Sequence, residues 1–240
     1  MTGASFRPLF HRPRLAVEIF AGSKTWSAAM MAQGWQVESH DILFGDQYDV
    51  CQREYVVTMK RRIYLGLIGC ILLATECTTW STACHPAYRS PSHILGFPSL
   101  DGDRLKTALL ANCMMRHSAE LFAYALQCNC QVWLENPASS YLWKTKEMLA
   151  LRRHSKTVEF TTHYCKWGRP FRKRTRLLTN ALNGPAALQN RCTHKTHSVK
   201  LSGTVFDKRT KKFVVATKKG NPYPPSLCKE WALVVDTVNG

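Results

Sequence analysis

The sequence predicts an α/β fold with a mostly parallel sheet and helices on both faces. Short apolar runs alternate with segments of helical periodicity along most of the chain, which is typical of βα units. The 45% apolar content is enough for a packed core, and 240 residues fit one large domain or one domain with a small appendage. We therefore expect the chemistry at the carboxyl ends of the strands.

The first strand, Leu15–Phe20, leads through a turn at Gly22 into a helix predicted over 25–33. Strand, glycine turn and helix open a Rossmann-like unit, whose helix N-terminus can face a ligand. A second strand, Trp35–Asp41, ends about twenty residues after the glycine turn, where a ribose-binding carboxylate would lie. Asp41 is therefore either that carboxylate or an ordinary surface aspartate.

The remaining elements follow from periodicity and from turn residues. We expect, in order, a helix over 52–65, a central strand starting at Cys70, a long helix from Asp103, a strand over 131–137, a short helix over 143–153, strands over 157–162 and 174–179, a basic hairpin over 205–215 and a final helix over 226–238. The segment 81–102 is rich in Ser, Pro, Gly and His and is predicted to be a long functional loop.

Cys77 follows the central strand directly. A thiol at the carboxyl end of a strand lies where α/β folds place their chemistry, so Cys77 is a candidate nucleophile. A buried structural cysteine is the alternative.

The positive charge is concentrated in one part of the chain. The segment 144–219 carries twenty Lys or Arg and three acidic residues, whereas the rest carries thirteen of each sign. This segment predicts a face that binds a polyanion, and we prefer nucleic acid to a generic basic surface. The residues expected to contact nucleic acid are Arg172, Lys173, Lys208, Arg209, Lys211 and Lys212.

Five strand-end motifs together resemble the DNA cytosine-5 methyltransferase family, in the family's order, over roughly residues 15–237. They are Glu18–Ser23, Glu76-Cys77, Glu135-Asn136, Arg174-Thr175-Arg176 and Gly220-Asn221 with Pro224-Pro225. The sequence around Asn136 and Tyr164 resembles that of a divergent, compact branch of the family with viral, mobile-element and protist members. The resemblance implies a Rossmann-like methyltransferase fold that uses S-adenosylmethionine.

The resemblance also implies residue roles. Cys77 would add to cytosine C6, Glu135 would stabilise charge at N3, and Asn136 would hold that loop. Arg174 or Arg176 would orient the base. The cofactor would contact Phe20, Ala21, Gly22, Ser23, Asp41 and Asn221. The target base would leave its duplex or come from a single strand.

Lys24 replaces the second glycine of the first motif, and Glu76 replaces the proline before the nucleophile. Two alternatives to a DNA methyltransferase therefore stay open. One is an inactive protein of this fold that binds nucleic acid or has a structural role. The other is an RNA cytosine-5 methyltransferase, because only a short insert stands where the family places a large target-recognition domain.

The chain is divided into a catalytic domain, residues 1–180 and 204–240, and a short Cys/His-containing basic insert, residues 181–203. Within the insert, Cys192, His194 and His197 could join Cys165 in a zinc site, although scattered polar loop residues are the alternative reading.

The cellular location is predicted from what the sequence lacks. No run of eighteen apolar residues is present, and the basic first fourteen residues contain no apolar signal region. The ten cysteines follow no compact disulfide spacing. We expect an intracellular protein without membrane contact, nuclear or DNA-associated in a eukaryote.

Overall fold

A computed structural model describes residues 13–182, 184–201, 203–207, 212–215 and 220–239. Six strands form one sheet: β1 Leu15–Ile19, β2 Gln36–His40, β3 Cys70–Leu73, β4 Gln131–Pro137, β5 Val158–His163 and β6 Arg174–Thr179. Their spatial order is β2-β1-β3-β4-β6-β5. The strands β2, β1, β3 and β4 are parallel, and β6 runs antiparallel to both of its neighbours, β4 and β5.

Helices cover both faces of this sheet. They are α1 Thr25–Ala32, α2 Arg53–Tyr64, α3 Gly102–Gln127, α4 Lys146–Arg152, α5 Pro185–Leu188 and α6 Pro225–Asn239. Among the described residues, none of the helices combines the length and the apolar character that a transmembrane span requires. The predicted α/β fold, with its Rossmann-like, mostly parallel sheet, is confirmed.

The alternation of side chains along each strand creates two separate cores. Val17 and Ile19 of β1 pack with helices α2 and α3, whereas Ala16 of the same strand packs with α1 and α6. Both faces of β3 are apolar because this strand is covered on both sides, as in other buried parallel strands.

The order of the strands reverses between β1 and β3. The chain moves from β1 outward to β2 and then returns to place β3 on the other side of β1. At such a switch point the connections leave in opposite directions and open a crevice at the carboxyl ends of the strands.

The described residues differ from the predicted elements in several places. The segment predicted to be irregular between Asn180 and Gly203 contains the short helix α5. Two 3₁₀ turns, Ile42–Phe44 and Asp46–Tyr48, follow β2 where no element was predicted. The predicted hairpin is confirmed as a separate two-stranded sheet of β7, Thr204–Asp207, and β8, Lys212–Val215. The division into a catalytic domain and an insert stays a prediction.

A buried arginine holds the long loop that follows Cys77. The Arg89 side chain is 2% exposed and stacks 3.4 Å from the Trp80 ring. Its guanidinium donates to the Thr79 carbonyl at 3.1 Å, the Ile94 carbonyl at 2.9 Å and the Asn112 side-chain oxygen at 2.8 Å. These bonds tie both ends of the loop to α3, so Arg89 gives this segment a fixed path without regular secondary structure.

We expect Arg89→Met to lower the free energy of unfolding by about 3 kcal/mol, because the substitution leaves several buried acceptors without a donor. Urea denaturation followed by circular dichroism measures this change. Arg116→Met is the matched control, because Arg116 is exposed and approaches Glu147 only at 4.0 Å; it should cost less than about 0.5 kcal/mol. Equal losses in the two variants would contradict the structural role of Arg89.

Candidate active site

A cavity of about 660 Å³ opens where the strand order reverses. This volume lies within the range of small-molecule and cofactor sites. Its lining comes from the carboxyl ends of β1, β2, β3 and β4, from α3, and from the segments before β6 and α6. The lining includes Glu18, Phe20, Ala21, Gly22, Ser23, Asp41, Ile42, Leu43, Glu76, Cys77, Leu110, Met114, Glu135, Lys173, Asn221 and Tyr223. All six residues predicted to bind the cofactor lie in this lining.

The turn after β1 has an unusual backbone. Phe20, Gly22 and Lys24 all have positive φ angles, of 64°, 38° and 54°. The Gly22 N–H donates to Asp41 Oδ2 at 3.0 Å, and the Leu43 N–H donates to Asp41 Oδ1 at 3.0 Å. Asp41 therefore joins the first turn to the end of β2, and each of its oxygens can accept a further hydrogen bond from a ligand.

Lys24 does not belong to the cavity lining. Its ammonium lies 3.7 Å from the centre of the Phe44 ring, a cation–π contact on the segment after β2. The side chain that replaces the second glycine of the first motif therefore leaves the cavity open.

Glu18 is a buried acid in the cavity lining that the sequence did not indicate as a site residue. It is 1% exposed, and its Oε2 accepts hydrogen bonds from the Ser27 backbone at 3.0 Å and from the Ser27 hydroxyl. Burial raises the pKa of Glu18 to about 7, although the bonds from Ser27 oppose the shift. The contact between Glu18 in β1 and Ser27 in α1 could not be predicted, because no local sequence signal links the two residues.

Cys77 lies half-buried in the cavity, four residues beyond the end of β3. Burial raises the pKa of its thiol to about 11. The positive charge of Lys173 opposes this shift, whereas Glu135 and Glu76 add to it. At neutral pH the thiol is therefore protonated, and its activation requires the loss of this proton.

Glu76 turns its carboxylate onto the backbone of the same loop. Its Oε1 accepts a hydrogen bond from the Thr78 N–H. The carboxylate thereby closes the turn around Cys77, and its negative charge stays beside the thiol.

Glu135 is the buried acid opposite Cys77 in this lining, and it is 6% exposed. Its Oε2 accepts a hydrogen bond from the Tyr223 hydroxyl at 3.0 Å. The Thr175 hydroxyl also lies close, but neither it nor Glu135 Oε1 makes a hydrogen bond of normal geometry to the described part of the chain. Burial raises the pKa of Glu135, against the influence of Lys173 and Tyr223, so the carboxyl is favoured in its neutral form.

Asn136 connects the two central strand ends. Its side-chain N–H donates to the Thr75 carbonyl at 2.7 Å. Because Thr75 precedes the Cys77 loop and Asn136 follows Glu135, this bond fixes the position of the thiol relative to the carboxyl.

Lys173 is half-buried and brings an ammonium group into the same cavity. It donates to the Gly220 carbonyl at 3.1 Å and to the Tyr164 hydroxyl at 3.4 Å. Burial lowers the pKa of Lys173, but Tyr164, Glu135 and Cys77 around it outweigh burial and raise the value. The sequence indicated Lys173 only as a contact to nucleic acid, and it did not indicate Tyr164 or Tyr223 as a site residue.

The structure places Arg174 and Arg176 away from the cavity. Neither residue belongs to its lining. Arg174 is exposed, and Arg176 forms an ion pair with Glu159 at 3.5 Å while stacking 5.4 Å from the Trp143 ring. The orienting role expected for an arginine is therefore not supported by the geometry, and Lys173 is the cation that faces Cys77 and Glu135.

The residues predicted to contact nucleic acid are only partly described. Arg172 is exposed, and Lys212 lies in β8. Lys208, Arg209 and Lys211 lie outside the described residues.

The four residues of the predicted zinc site come together. The ligand atoms of Cys165, Cys192, His194 and His197 all lie within 4.8 Å of one another, outside the cavity lining.

The chain matches no protein-family model and no curated protein sequence. It is similar to the solved structure of Entamoeba histolytica methyltransferase EhMeth, at 10% identity over 80% of this chain and 58% of that one, with a TM-score of 0.42. It is also similar to S. pombe Dnmt2 methyltransferase, at 10% identity over 69% of this chain and 48% of that one, with a TM-score of 0.40.

A mutant of Spodoptera frugiperda DNMT2 is similar at 13% identity over 74% of this chain and 53% of that one, with a TM-score of 0.37. The chain thus spans about half the length of these proteins. A likeness this distant carries no information on substrate or activity, so any assignment of function depends on the residues of the cavity.

We expect Glu76→Gln to make the Cys77 thiol more reactive at neutral pH, because the substitution removes a negative charge that raises its pKa. The rate of Cys77 alkylation by iodoacetamide, measured by peptide mass spectrometry, should rise about tenfold per pH unit up to about pH 11. In the variant this profile should move to lower pH by about half a unit to one unit. Glu147→Gln, outside the cavity lining, should leave it unchanged; an unmoved profile in Glu76→Gln would contradict the electrostatic coupling.

Proposed function

We propose that this protein is an S-adenosylmethionine-dependent cytosine-5 methyltransferase that acts on DNA through a covalent bond to Cys77. The observation that carries the proposal is one cavity lined by a half-buried thiol, a buried carboxyl and the ammonium of a half-buried lysine: Cys77, Glu135 and Lys173. A nucleophile, an acid and a positive charge are the groups that addition to a pyrimidine ring requires.

The chemistry follows from the weak nucleophilicity of cytosine C5. Addition of the Cys77 thiolate to C6 makes C5 electron-rich, and negative charge then develops toward N3. Glu135 is suited to donate a proton there, because burial raises the pKa of its carboxyl and so favours the neutral form. Once C5 carries a methyl group, loss of the C5 proton to solvent water, expulsion of the Cys77 thiolate and return of the N3 proton to the Glu135 carboxylate restore the ring.

Lys173 takes the place that an arginine was expected to occupy. Its ammonium opposes the rise in the Cys77 pKa, so it stabilises the thiolate when the proton leaves. It also supplies a donor for the carbonyl oxygen of the bound base. As a single point charge, it orients the base less rigidly than a guanidinium fork would.

The lining fits the proposed cofactor. Ile42, Leu43 and Leu110 form an apolar wall suited to adenine, and Asp41 retains acceptor capacity for ribose hydroxyls. The N-terminus of α1 follows the glycine turn and favours a carboxylate, and Asn221 adds a polar edge. When bound, S-adenosylmethionine supplies the electrophilic methyl group.

The polyanion partner is inferred from charge. The segment 144–219 holds the whole positive excess of the chain and includes Lys173 in the cavity as well as the exposed Arg172 and Arg174. Nucleic-acid backbone bound to this segment would bring a base to Cys77, provided that the base is flipped out or single-stranded.

Labelled methyl transfer to DNA should fall by at least about a thousandfold in Cys77→Ala, because the alanine cannot add to C6. Scintillation counting of DNA after incubation with labelled S-adenosylmethionine measures the transfer. Cys84→Ala is the matched control, since Cys84 lies in the long loop and outside the cavity lining; it should retain full activity. A folded wild-type protein that methylates neither DNA nor RNA would overturn the proposal.

Competition between duplex DNA, single-stranded DNA and RNA in one reaction identifies the polymer. Preferential methylation of RNA would leave the proposed role of Cys77 unchanged and would identify RNA as the substrate, which is the second enzymatic alternative.

The non-enzymatic alternative, a nucleic-acid-binding or structural protein of this fold, is favoured by one observation. Burial and two nearby carboxyls raise the pKa of Cys77 to about 11, which leaves little thiolate at neutral pH.

Calorimetric titration with S-adenosylmethionine distinguishes the enzymatic from the non-enzymatic alternative. Because the Lys24 side chain lies over Phe44 and outside the lining, we expect wild-type protein to bind the cofactor and Lys24→Gly to change its affinity by less than about tenfold. Absence of binding in wild type with recovery in Lys24→Gly would support the non-enzymatic reading.

A further inference from the structure

Two cysteines and two histidines from separate segments face one another outside the cavity. Cys165 lies in the 3₁₀ turn Tyr164–Trp167 after β5, and Cys192, His194 and His197 follow α5. Cys192 Sγ lies 3.3 Å from His194 Nδ1 and 3.3 Å from His197 Nε2. All four potential ligand atoms lie within 4.8 Å of one another.

We propose that these four side chains bind a Zn²⁺ ion in a closed, tetrahedral Cys₂His₂ site that holds residues 190–199 against the catalytic domain. Zinc–sulfur bonds of about 2.3 Å and zinc–nitrogen bonds of about 2.0–2.1 Å place tetrahedral ligand atoms about 3.4–3.8 Å apart. The two sulfur–nitrogen distances of 3.3 Å are slightly shorter than this spacing. Small side-chain rotations would bring all four ligand atoms to it.

The donor set selects the metal. Two thiolates and two imidazoles in tetrahedral arrangement favour Zn²⁺ over Mg²⁺, Ca²⁺ or Mn²⁺, which prefer oxygen ligands. Two thiolates also neutralise the charge of the ion, so the site adds no net charge. Binding releases the two thiol protons to solvent.

The backbone brings the ligands together independently of the metal. The His163 N–H donates to the Asn190 carbonyl at 3.0 Å, and the Cys192 N–H donates to His163 Nδ1 at 2.8 Å. Farther along, the Val199 N–H donates to the Pro170 carbonyl at 3.2 Å. The segment is therefore anchored near both ends on residues that flank the turn carrying Cys165.

Between its two anchors, the segment has no regular structure and little apolar burial. Residues 191–200 form neither helix nor strand, and most of their side chains are exposed. A stretch without an apolar core is stabilised in many small folds by a structural metal.

The zinc site would also border the wall of the cavity. Tyr164 precedes Cys165, and its N–H donates to the Lys173 carbonyl at 3.0 Å. The 190–199 segment is thus connected through one turn to the strand that presents Lys173. The metal site itself does not depend on the proposed methyltransferase activity.

Zinc content by plasma mass spectrometry tests the proposal on the full chain purified without chelator. We expect about one zinc per chain in wild type and at most about one-tenth of that in Cys192→Ala and His197→Ala. Cys84→Ala and His154→Ala alter the same residue types outside the cluster and should retain the metal. Because a ligand variant can fail to fold, Co²⁺ replacement in wild type provides a second measurement, with the absorption spectrum of a tetrahedral thiolate site expected.

Trypsin digestion tests whether the metal holds the segment. Removing zinc with a chelator should speed cleavage after Arg191, Lys195 and Lys200 at least about tenfold, while cleavage elsewhere changes little. Wild-type protein that takes up no zinc or Co²⁺, retention of zinc in all ligand variants, or a Cys165–Cys192 disulfide found by thiol counting would each overturn the proposal.

Discussion

The site depends on one constraint: parallel strands in register end at the same edge of a sheet. Ile19 of β1 lies beside Leu73 of β3, and Leu73 lies beside Leu134 of β4. The residues that immediately follow these partners, such as Phe20 and Glu135, must therefore meet above that edge. Since the connections diverge where the order reverses, the same edge is also the place where the backbone leaves room for a ligand.

The electrostatics of the cavity follow from burying one ammonium among weak acids. Lys173 stays protonated because Tyr164, Glu135 and Cys77 surround it. Burial, in turn, raises the pKa of both Glu135 and Cys77, whereas the charge of Lys173 opposes both shifts. A cavity that holds a positive charge beside two acids of raised pKa is suited to stabilise a negative charge that develops during a reaction.

Strands, helices and the residues at strand ends could be predicted from the sequence because periodicity and turn residues are local signals. The role of Lys173 could not, because it depends on which face of β6 meets the cavity. Side chains alternate along a strand, so Arg174 and Arg176 share one face while Lys173 and Thr175 share the other. Leu177 shares a face of the strand with Lys173, and it packs with Trp133, which shares a face of β4 with Glu135. Lys173 and Glu135 therefore lie on the same side of the sheet. Lys173, Arg174 and Arg176 lie within four residues, and no local sequence signal shows which of them faces the cavity.

The departures from the first and second motifs affect the borders of the cavity and leave Cys77 and Glu135 in its lining. A lysine with a φ of 54° is strained by about 1 kcal/mol relative to glycine, yet the Lys24 N–H bonds to the Ala21 carbonyl at 2.7 Å and keeps the turn closed. Its side chain finds an aromatic partner on the next segment. Glu76 likewise satisfies the loop backbone, but its charge stays close enough to raise the pKa of Cys77. The first substitution thus has a local compensation, whereas the second adds to the effects of burial and of Glu135, which also raise the pKa of the Cys77 thiol.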